Sequence, residues 1–150
     1  MVGRLAATVG LVLVCIAGSA QDQLFKRYEN TKGVSTVYIS PAMFRLMPKK
    51  KVGDKDIVQI ASRLDKLQIL ECERPSLIAA IKREALAYYR KNRYEVVMQI
   101  KDDDERVTVY QRTIGKGKNE FVLFNEEEDE LSIIQVVGNV SLDEIKHLND

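Results

Sequence analysis

Apolar side chains recur at helical spacing in the segment Pro75–Lys91, which is the clearest element of the sequence. They fall at three- and four-residue steps and so share one stripe of a helix: Leu77, Ile78, Ile81, Ala85 and Tyr88. Strand-like runs precede and follow this segment at Leu67–Cys72 and Tyr94–Ile100. The pattern therefore predicts a long helix that connects two strands and lies across a sheet.

The sequence before this central unit predicts three shorter helices and one strand. Gln21–Thr31 has its apolar residues on one side, and Val34–Ile39 is a strand rich in β-branched residues. Ser40 and Pro41 form a helix-start signal, with serine as N-cap and proline in the first turn. Asp54–Leu64 carries the apolar stripe of the third helix.

Alternation of apolar and polar residues dominates the C-terminal half of the chain. It predicts four strands: Tyr94–Ile100, Val107–Arg112, Phe121–Phe124 and Leu131–Val137. Short polar turns separate these strands, which is typical of an antiparallel meander. A last helix follows, because Ser141 and Glu144 form a capping box.

This order of elements predicts an α+β fold. We expect a single-layer mixed sheet of about six strands, with the antiparallel meander at its C-terminal end and the helices packed mainly on one face. The connections over residues 40–66 and 73–93 would be right-handed wherever they join parallel neighbours.

The first twenty residues have the three-part pattern of a secretory signal peptide. Arg4 supplies the positive start, Leu5–Gly18 is an uncharged run, and small residues end at Ala20, where we expect cleavage. The run is shorter than the roughly 18–20 apolar residues of a membrane span. Cys15 follows Val14, where a lipoprotein would have a small residue, so lipidation is not expected. We predict a signal peptide over residues 1–20 and one periplasmic domain over residues 21–150, without a stable membrane span.

The charge balance bears on which partners are expected, and the cysteine content bears on how the fold is stabilised. The chain has 23 basic and 22 acidic residues. Removal of residues 1–20 removes Arg4 and no acidic residue, so the remainder is neutral and gives no reason to expect nucleic-acid binding. Cys72 would then be the only cysteine, so no internal disulfide is possible and the core must stabilise the fold.

The sequence contains no recognisable catalytic, cofactor-binding or metal-binding constellation. His147 is the only histidine and lies near the end of the last helix, where a solvated side chain is expected. Cys72 lies between two glutamates on a strand predicted to be buried, which favours an inert thiol. Gly115–Lys118 falls between two strands and is a hairpin turn rather than a phosphate loop. We therefore expect a protein that is not an enzyme; a glycosidase-like carboxylate pair, which needs a cleft, is the least favoured hypothesis.

Two turns of the meander are strongly acidic and should lie at the same end of the sheet. Their carboxylates include Asp102, Asp103, Asp104, Glu126, Glu127 and Glu128. Such a cluster could bind calcium or a basic partner. No spacing matches a defined calcium loop, which favours solvated turns that keep the sheet soluble.

The last two strands carry apolar residues on both faces. The candidate partner surface consists of Val122, Phe124, Ile134 and Val136. An N-terminal helix that covers the second face is the favoured explanation, and a partner protein or a second copy of the chain is the alternative.

Several segments together resemble one family of small exported bacterial proteins described only as a domain of unknown function. They are the signal peptide, Val37–Ser40, Leu67–Leu70, Tyr94–Met98 and Leu131–Leu142. The resemblance covers about Leu24 to Leu148. It implies a lipoprotein or periplasmic protein of a two-membrane bacterium, with a part in envelope signalling suggested by neighbouring sigma-factor and anti-sigma genes. The family has no established site, so no residue role is carried over.

Two functions remain open on the sequence. The first is a non-enzymatic module that binds an envelope protein or associates with itself. The second is a periplasmic protein that binds a small molecule or a cation at the acidic turns or on the sheet face.

Overall fold

Six strands form one sheet in the computed structural model, which describes residues 20–46 and 63–146. The strands are β1 (Val34–Ile39), β2 (Leu64–Cys72), β3 (Glu95–Lys101), β4 (Arg106–Gly115), β5 (Lys118–Glu126) and β6 (Leu131–Gly138). The helices of the described residues are α1 (Ala20–Tyr28), α2 (Pro41–Leu46), α3 (Pro75–Lys91) and α4 (Leu142–Lys146). The α+β class is therefore confirmed. Most of the predicted helix over residues 54–64 lies outside the described residues, and its last residue, Leu64, begins β2.

The strand order is β1-β2-β6-β5-β4-β3, and every pairing is antiparallel. The predicted C-terminal meander is confirmed, but the sheet is not mixed. The reason is that β3, which follows α3, lies at the edge opposite β1, whereas β6 returns to pair with β2. The long helix thus joins two strands that are not neighbours, and no parallel strand–helix–strand unit forms.

One face of the sheet, here called the helix face, is covered by α1 and α3. Its buried cluster combines three sets of side chains: Leu24, Phe25 and Tyr28 from α1; Ile81, Ala85 and Tyr89 from α3; Leu70, Cys72, Val122, Phe124, Leu131 and Ile133 from the sheet. These strand residues alternate along β2, β5 and β6, so they point to the same side. The predicted apolar stripe of the long helix therefore fills a core.

The opposite face, here called the far face, has its own buried cluster. It contains Leu64, Val107, Val109, Phe121, Leu123, Val136, Val140 and Ile145. The helix α1 belongs to the cluster on the helix face, so it is not the helix that covers the second face. Val140 and Ile145, from α4 and the turn before it, pack there instead.

The start of α4 has the predicted capping box. Ser141 Oγ accepts a hydrogen bond from the backbone N–H of Glu144 at 3.4 Å, and Glu144 Oε2 accepts one from the backbone N–H of Ser141 at 2.8 Å. The same carboxylate group pairs with Arg63. These contacts hold the short helix against the far face at its first turn.

The end of α3 places a tyrosine beside the sheet. Asn92 caps the helix, with its backbone N–H donating to the carbonyl of Tyr88. Arg93 then has a φ of 58°, which reverses the chain direction. The backbone N–H of Tyr94 donates to the carbonyl of Tyr89 at 3.0 Å. Tyr94 is thereby directed toward β4 and β5.

Candidate functional site

The edge strand β1 exposes apolar side chains and has no charged residue. Val37 is 47% exposed and its neighbour Tyr38 is 59% exposed. The six residues of β1 pair with β2 in continuous register, without a bulge. Edge strands are normally protected by charges, prolines or bulges, because a straight edge offers its backbone to another strand. Within its span β1 has none of these protections.

The hydrogen bonds next to β1 show which backbone groups face outward. The carbonyl of Gly33 accepts from the N–H of Glu73 at 3.1 Å. Bonded positions alternate along an antiparallel pair, so Ser35 and Val37 face β2. Thr36 therefore turns its N–H and its carbonyl away from β2, and the next such position is Tyr38. Among the described residues no strand pairs with this outer side of β1.

The other edge strand, β3, is built differently. Its pairing with β4 is interrupted by a bulge between Val96 and Met98, and it begins with Glu95 and ends with Lys101. Val96 is exposed, as is Ile100. A bulge and terminal charges both hinder the addition of a further strand. Of the two edges, β1 is the one suited to strand pairing.

A groove of about 420 Å³ lies beside β1, between α1 and the first two strands. Phe25 and Tyr38 are among its apolar walls, and Thr36 contributes a hydroxyl group. Lys66 and Asp22 also line it, and their side chains pair at 2.6 Å. The groove thus lies next to an exposed strand edge, and its walls combine apolar, polar and charged side chains.

Gln68 lies on the wall of this groove with a carbonyl oxygen that has no donor. Its side chain is only 9% exposed. Its direct neighbour across the strands is Gln135, whose side-chain oxygen also has no hydrogen-bond partner. Buried polar atoms are nearly always paired, so two adjacent exceptions call for an explanation.

A paired polar cluster lies on the same face, farther from β1. Glu120 is 2% exposed and accepts three hydrogen bonds. The donors are Tyr94 Oη at 2.6 Å, Gln135 Nε2 at 2.6 Å and Arg112 Nη2 at 2.9 Å. The guanidinium of Arg112 also lies 4.6 Å from the ring centre of Tyr94. Both carboxylate oxygens are satisfied, which is the condition for a stable buried charge.

The tyrosines around Glu120 are held in their neutral form. Burial, followed by the hydrogen bond to Glu120, raises the pKa of Tyr94 well above its ordinary value of 10.0. Burial also raises the pKa of Tyr89, whose ring is 5.1 Å from that of Tyr94. These are the shifts expected of core aromatics, and the cluster stabilises the fold rather than offering a reactive group.

Sequence analysis missed Glu120, although a signal was present. Glu120 precedes Val122 and Phe124 at two-residue steps, so all three share the helix face. A charge at the end of a buried strand face predicts a buried partner, and Arg112 is directly opposite in the register.

The acidic turns come together as predicted. The residues of the two turns line one open depression of about 420 Å³ at an end of the sheet: Asp102, Asp103, Asp104, Glu105, Glu127, Glu128 and Asp129. Glu126 is not among them; its side chain pairs with Lys82 of α3. Within residues 20–46 and 63–146 there is no group of three or more histidine, cysteine or acidic side chains placed to hold a metal ion.

The four residues of the predicted partner surface do not form one surface. Val122 and Phe124 belong to the helix face, whereas Val136 and Ile134 pack with the far-face cluster. Val122, Phe124 and Val136 are fully buried within the chain. The prediction took residues from both sides of the sheet, because the register of β5 against β6 places Val122 beside Gln135 and not beside Ile134.

The remaining candidate groups are structural or lie elsewhere. Cys72 is a buried free thiol whose Sγ donates to the carbonyl of Arg74 at 3.5 Å. Gly115 and Gly117 have positive φ angles in the tight turn between β4 and β5, as expected for a hairpin. His147 lies outside the described residues.

Comparison with known proteins places the chain in a family without assigning a function. A family model described as a domain of unknown function (DUF4252) matches residues 28–148. No curated protein matches the sequence. A crystal structure of PA94, a protein of unknown function from Pseudomonas aeruginosa, has a TM-score of 0.33 and 9% identity, over 77% of this chain and 74% of that chain. At that TM-score the likeness carries no weight. The described helices include none that is long and apolar enough to span a membrane.

Proposed function

We propose that this chain, which belongs to the family described as a domain of unknown function (DUF4252), is an exported, non-enzymatic module that binds an extended segment of a protein partner along β1. One observation carries the proposal: β1 is an uncharged, continuous edge strand that exposes Val37 on one face of the sheet and Tyr38 on the other. A segment that pairs with such an edge gains main-chain hydrogen bonds and places alternate side chains on the two faces.

The asymmetry of the sheet supports β1 over β3 as the binding edge. A strand added to β1 would meet the outward N–H and carbonyl of Thr36, and its side chains on the helix face would lie over the groove. At β3 the bulge and the terminal charges of Glu95 and Lys101 oppose the addition of a strand.

Export is the second part of the proposal. The signal-peptide pattern over residues 1–20 supports cleavage after Ala20 and residence in the periplasm. The helix α1 begins at that residue, and the side chains that it adds to the core, Leu24, Phe25 and Tyr28, all follow the cleavage point. An envelope protein is the partner class that fits this location, and the family resemblance suggests a signalling system.

Thr36→Pro tests the edge directly. The substitution removes an N–H that faces away from β2, so the β1–β2 ladder stays intact while the outer edge loses a donor and gains a ring. Gln99→Pro is the matched control. The pair Asp102–Glu105 exchanges hydrogen bonds, so the alternation along β3 turns Gln99 outward at the other edge.

The measurement is recovery of a partner from the envelope of the native host, with a photo-crosslinking aromatic residue at Tyr38 and, as control, at Ile100. We expect one partner that crosslinks at Tyr38 only, with affinity reduced about tenfold or more by Thr36→Pro and unchanged by Gln99→Pro. The recovered chain should begin at Gln21. Three results would overturn the proposal: equal binding by Thr36→Pro, no crosslinked partner, or crosslinks only to a second copy of this chain.

A further inference from the structure

An unbroken row of apolar side chains crosses the far face and ends at the β1 edge. The strand registers place one residue of every strand in this row, in the order Val37, Ile69, Ile134, Leu123, Val109 and Met98. The row is buried on β4 and β5, half-buried on β6 and β2, and exposed at Val37 on β1. Within the described residues, Val37 has no cross-strand neighbour on its outer side.

The rows on either side of this one show how far the apolar character of the edge extends. One neighbouring row is apolar from β1 to β5: Ile39, Leu67, Val136 and Phe121. The other is polar on the same four strands: Ser35, Glu71, Ser132 and Asn125. The far face of β1 is therefore apolar at Val37 and Ile39 and polar at Ser35.

The helix face of the same edge offers a different surface. Thr36 lies opposite Leu70, a residue of the helix-face cluster, so Thr36 and Tyr38 have their side chains on that face. Besides Phe25, the groove there is lined by charged side chains of both signs: Asp22, Lys26, Glu29 and Lys66. An apolar side chain placed among these groups would take hydration from them, whereas a polar or charged one can bond to them.

We propose that the segment bound along β1 is amphipathic, with apolar residues beside Val37 and Ile39 on the far face and a polar or charged residue between them, beside Tyr38 on the helix face. The apolar pair would continue the two rows onto an added strand and remove the exposed side of Val37 from water. This pattern reads the same in both directions, so it holds for a parallel or an antiparallel segment. The inference rests on the proposed function and adds the sequence pattern that the same site selects.

Two capped peptides of identical composition test the inference without the partner. Each has seven residues: a lysine at either end, two valines and three threonines. The alternating peptide has its valines at the third and fifth positions, which share one face of a strand, whereas the control peptide has them at the third and fourth, which do not.

Each peptide is titrated into the isotope-labelled chain, and the amide and methyl resonances are followed by NMR. We expect the alternating peptide to bind about fivefold or more tightly than the control, because it buries both valines on the far face. Its valine methyls should give contacts with the methyls of Val37 and Ile39, and the backbone amides of Thr36 and Tyr38 should shift.

Val37→Thr is the matched variant, because threonine keeps the branched shape and replaces one methyl with a hydroxyl. We expect it to fold and to lose the preference for the alternating peptide, whereas Val96→Thr, at a similarly exposed valine of β3, keeps that preference. Equal affinity for the two peptides, binding of neither, or a preference that survives Val37→Thr would overturn the inference. A partner that is lost with Thr36→Pro but recovered equally with Val37→Thr would remove the amphipathic pattern and leave the proposed function standing.

Discussion

Two buried polar side chains of the helix face, Glu120 on the side of β3 and Gln68 on the side of β1, differ in how well they are paired. Around Glu120 each carboxylate oxygen has donors, from Tyr94, Gln135 and Arg112. Around Gln68 the side-chain oxygen has none. The edges follow the same division, since β3 is bulged and charged whereas β1 is straight and uncharged. The buried charge on the β3 side is therefore satisfied within the chain, whereas the buried amide oxygen on the β1 side is not, and β1 is the edge at which we propose that a partner binds.

Of the substitutions considered, replacing Glu120 should change the free energy of unfolding most. Glu120→Leu leaves a guanidinium, a phenol and an amide without their common acceptor, so the free energy of unfolding should fall by about 3–5 kcal/mol. Glu126→Gln is the control, because Glu126 lies on the same strand and pairs with Lys82 at the surface. Its cost should be about 1 kcal/mol or less in urea unfolding. Equal losses would show that Glu120 does not stabilise the β3 side.

Tyr94→Phe should have an intermediate effect that depends on pH. At neutral pH it removes a hydrogen bond to a carboxylate, worth about 1.5–3 kcal/mol. The folded-state pKa of Tyr94 is raised above 10.0, so its stabilising contribution is complete below that pH and is lost as the pH rises through and above it.

Urea unfolding measured on both sides of pH 10 should therefore show a shallower alkaline loss of stability for Tyr94→Phe than for the native chain. Tyr28, Tyr89 and Tyr110, whose pKa values are also raised by burial, would account for the slope that remains. An unchanged slope would mean that Tyr94 does not contribute to the alkaline transition.

The smallest expected effect is that of Gln68→Met on stability. Because the variant removes a buried oxygen that has no donor, the free energy of unfolding should stay the same or rise by up to about 1 kcal/mol. Gln135→Met, one strand away, also removes the bond to Glu120 and should destabilise the chain by about 1–2 kcal/mol. If Gln68→Met were the more damaging of the two, Gln68 would have a donor in solution and the β1 side would be as complete as the β3 side.

Local patterns in the sequence predicted most of the elements. Periodicity identified α3 and β1 with the bounds observed, and the capping box at Ser141 forms as expected. These features depend on residues close in the chain. The acidic depression was also predictable, since alternate turns of a meander lie at the same end of the sheet.

The errors arose where distant strands meet. Which strand lies beside β2 depends on pairing across more than sixty residues, as between Leu70 and Ile133, and no local pattern specifies it. The prediction of the partner surface was wrong for a related reason: the register of β5 against β6 decides which of their side chains share a face. The orphan oxygens of Gln68 and Gln135 could not be foreseen, since only the β2–β6 pairing brings them together.

The position of β6 between β2 and β5 has a consequence for the order of events when the chain is made. Strands β1 and β2 are synthesised early, but their neighbour on the inner side is the last strand of the meander. The two halves of the sheet therefore stay separate until residues 131–138 have left the ribosome, and each lacks part of its core until then. A polypeptide with this topology folds late and by long-range contacts. That timing is compatible with the export that we propose, because an exported chain crosses the membrane before it folds.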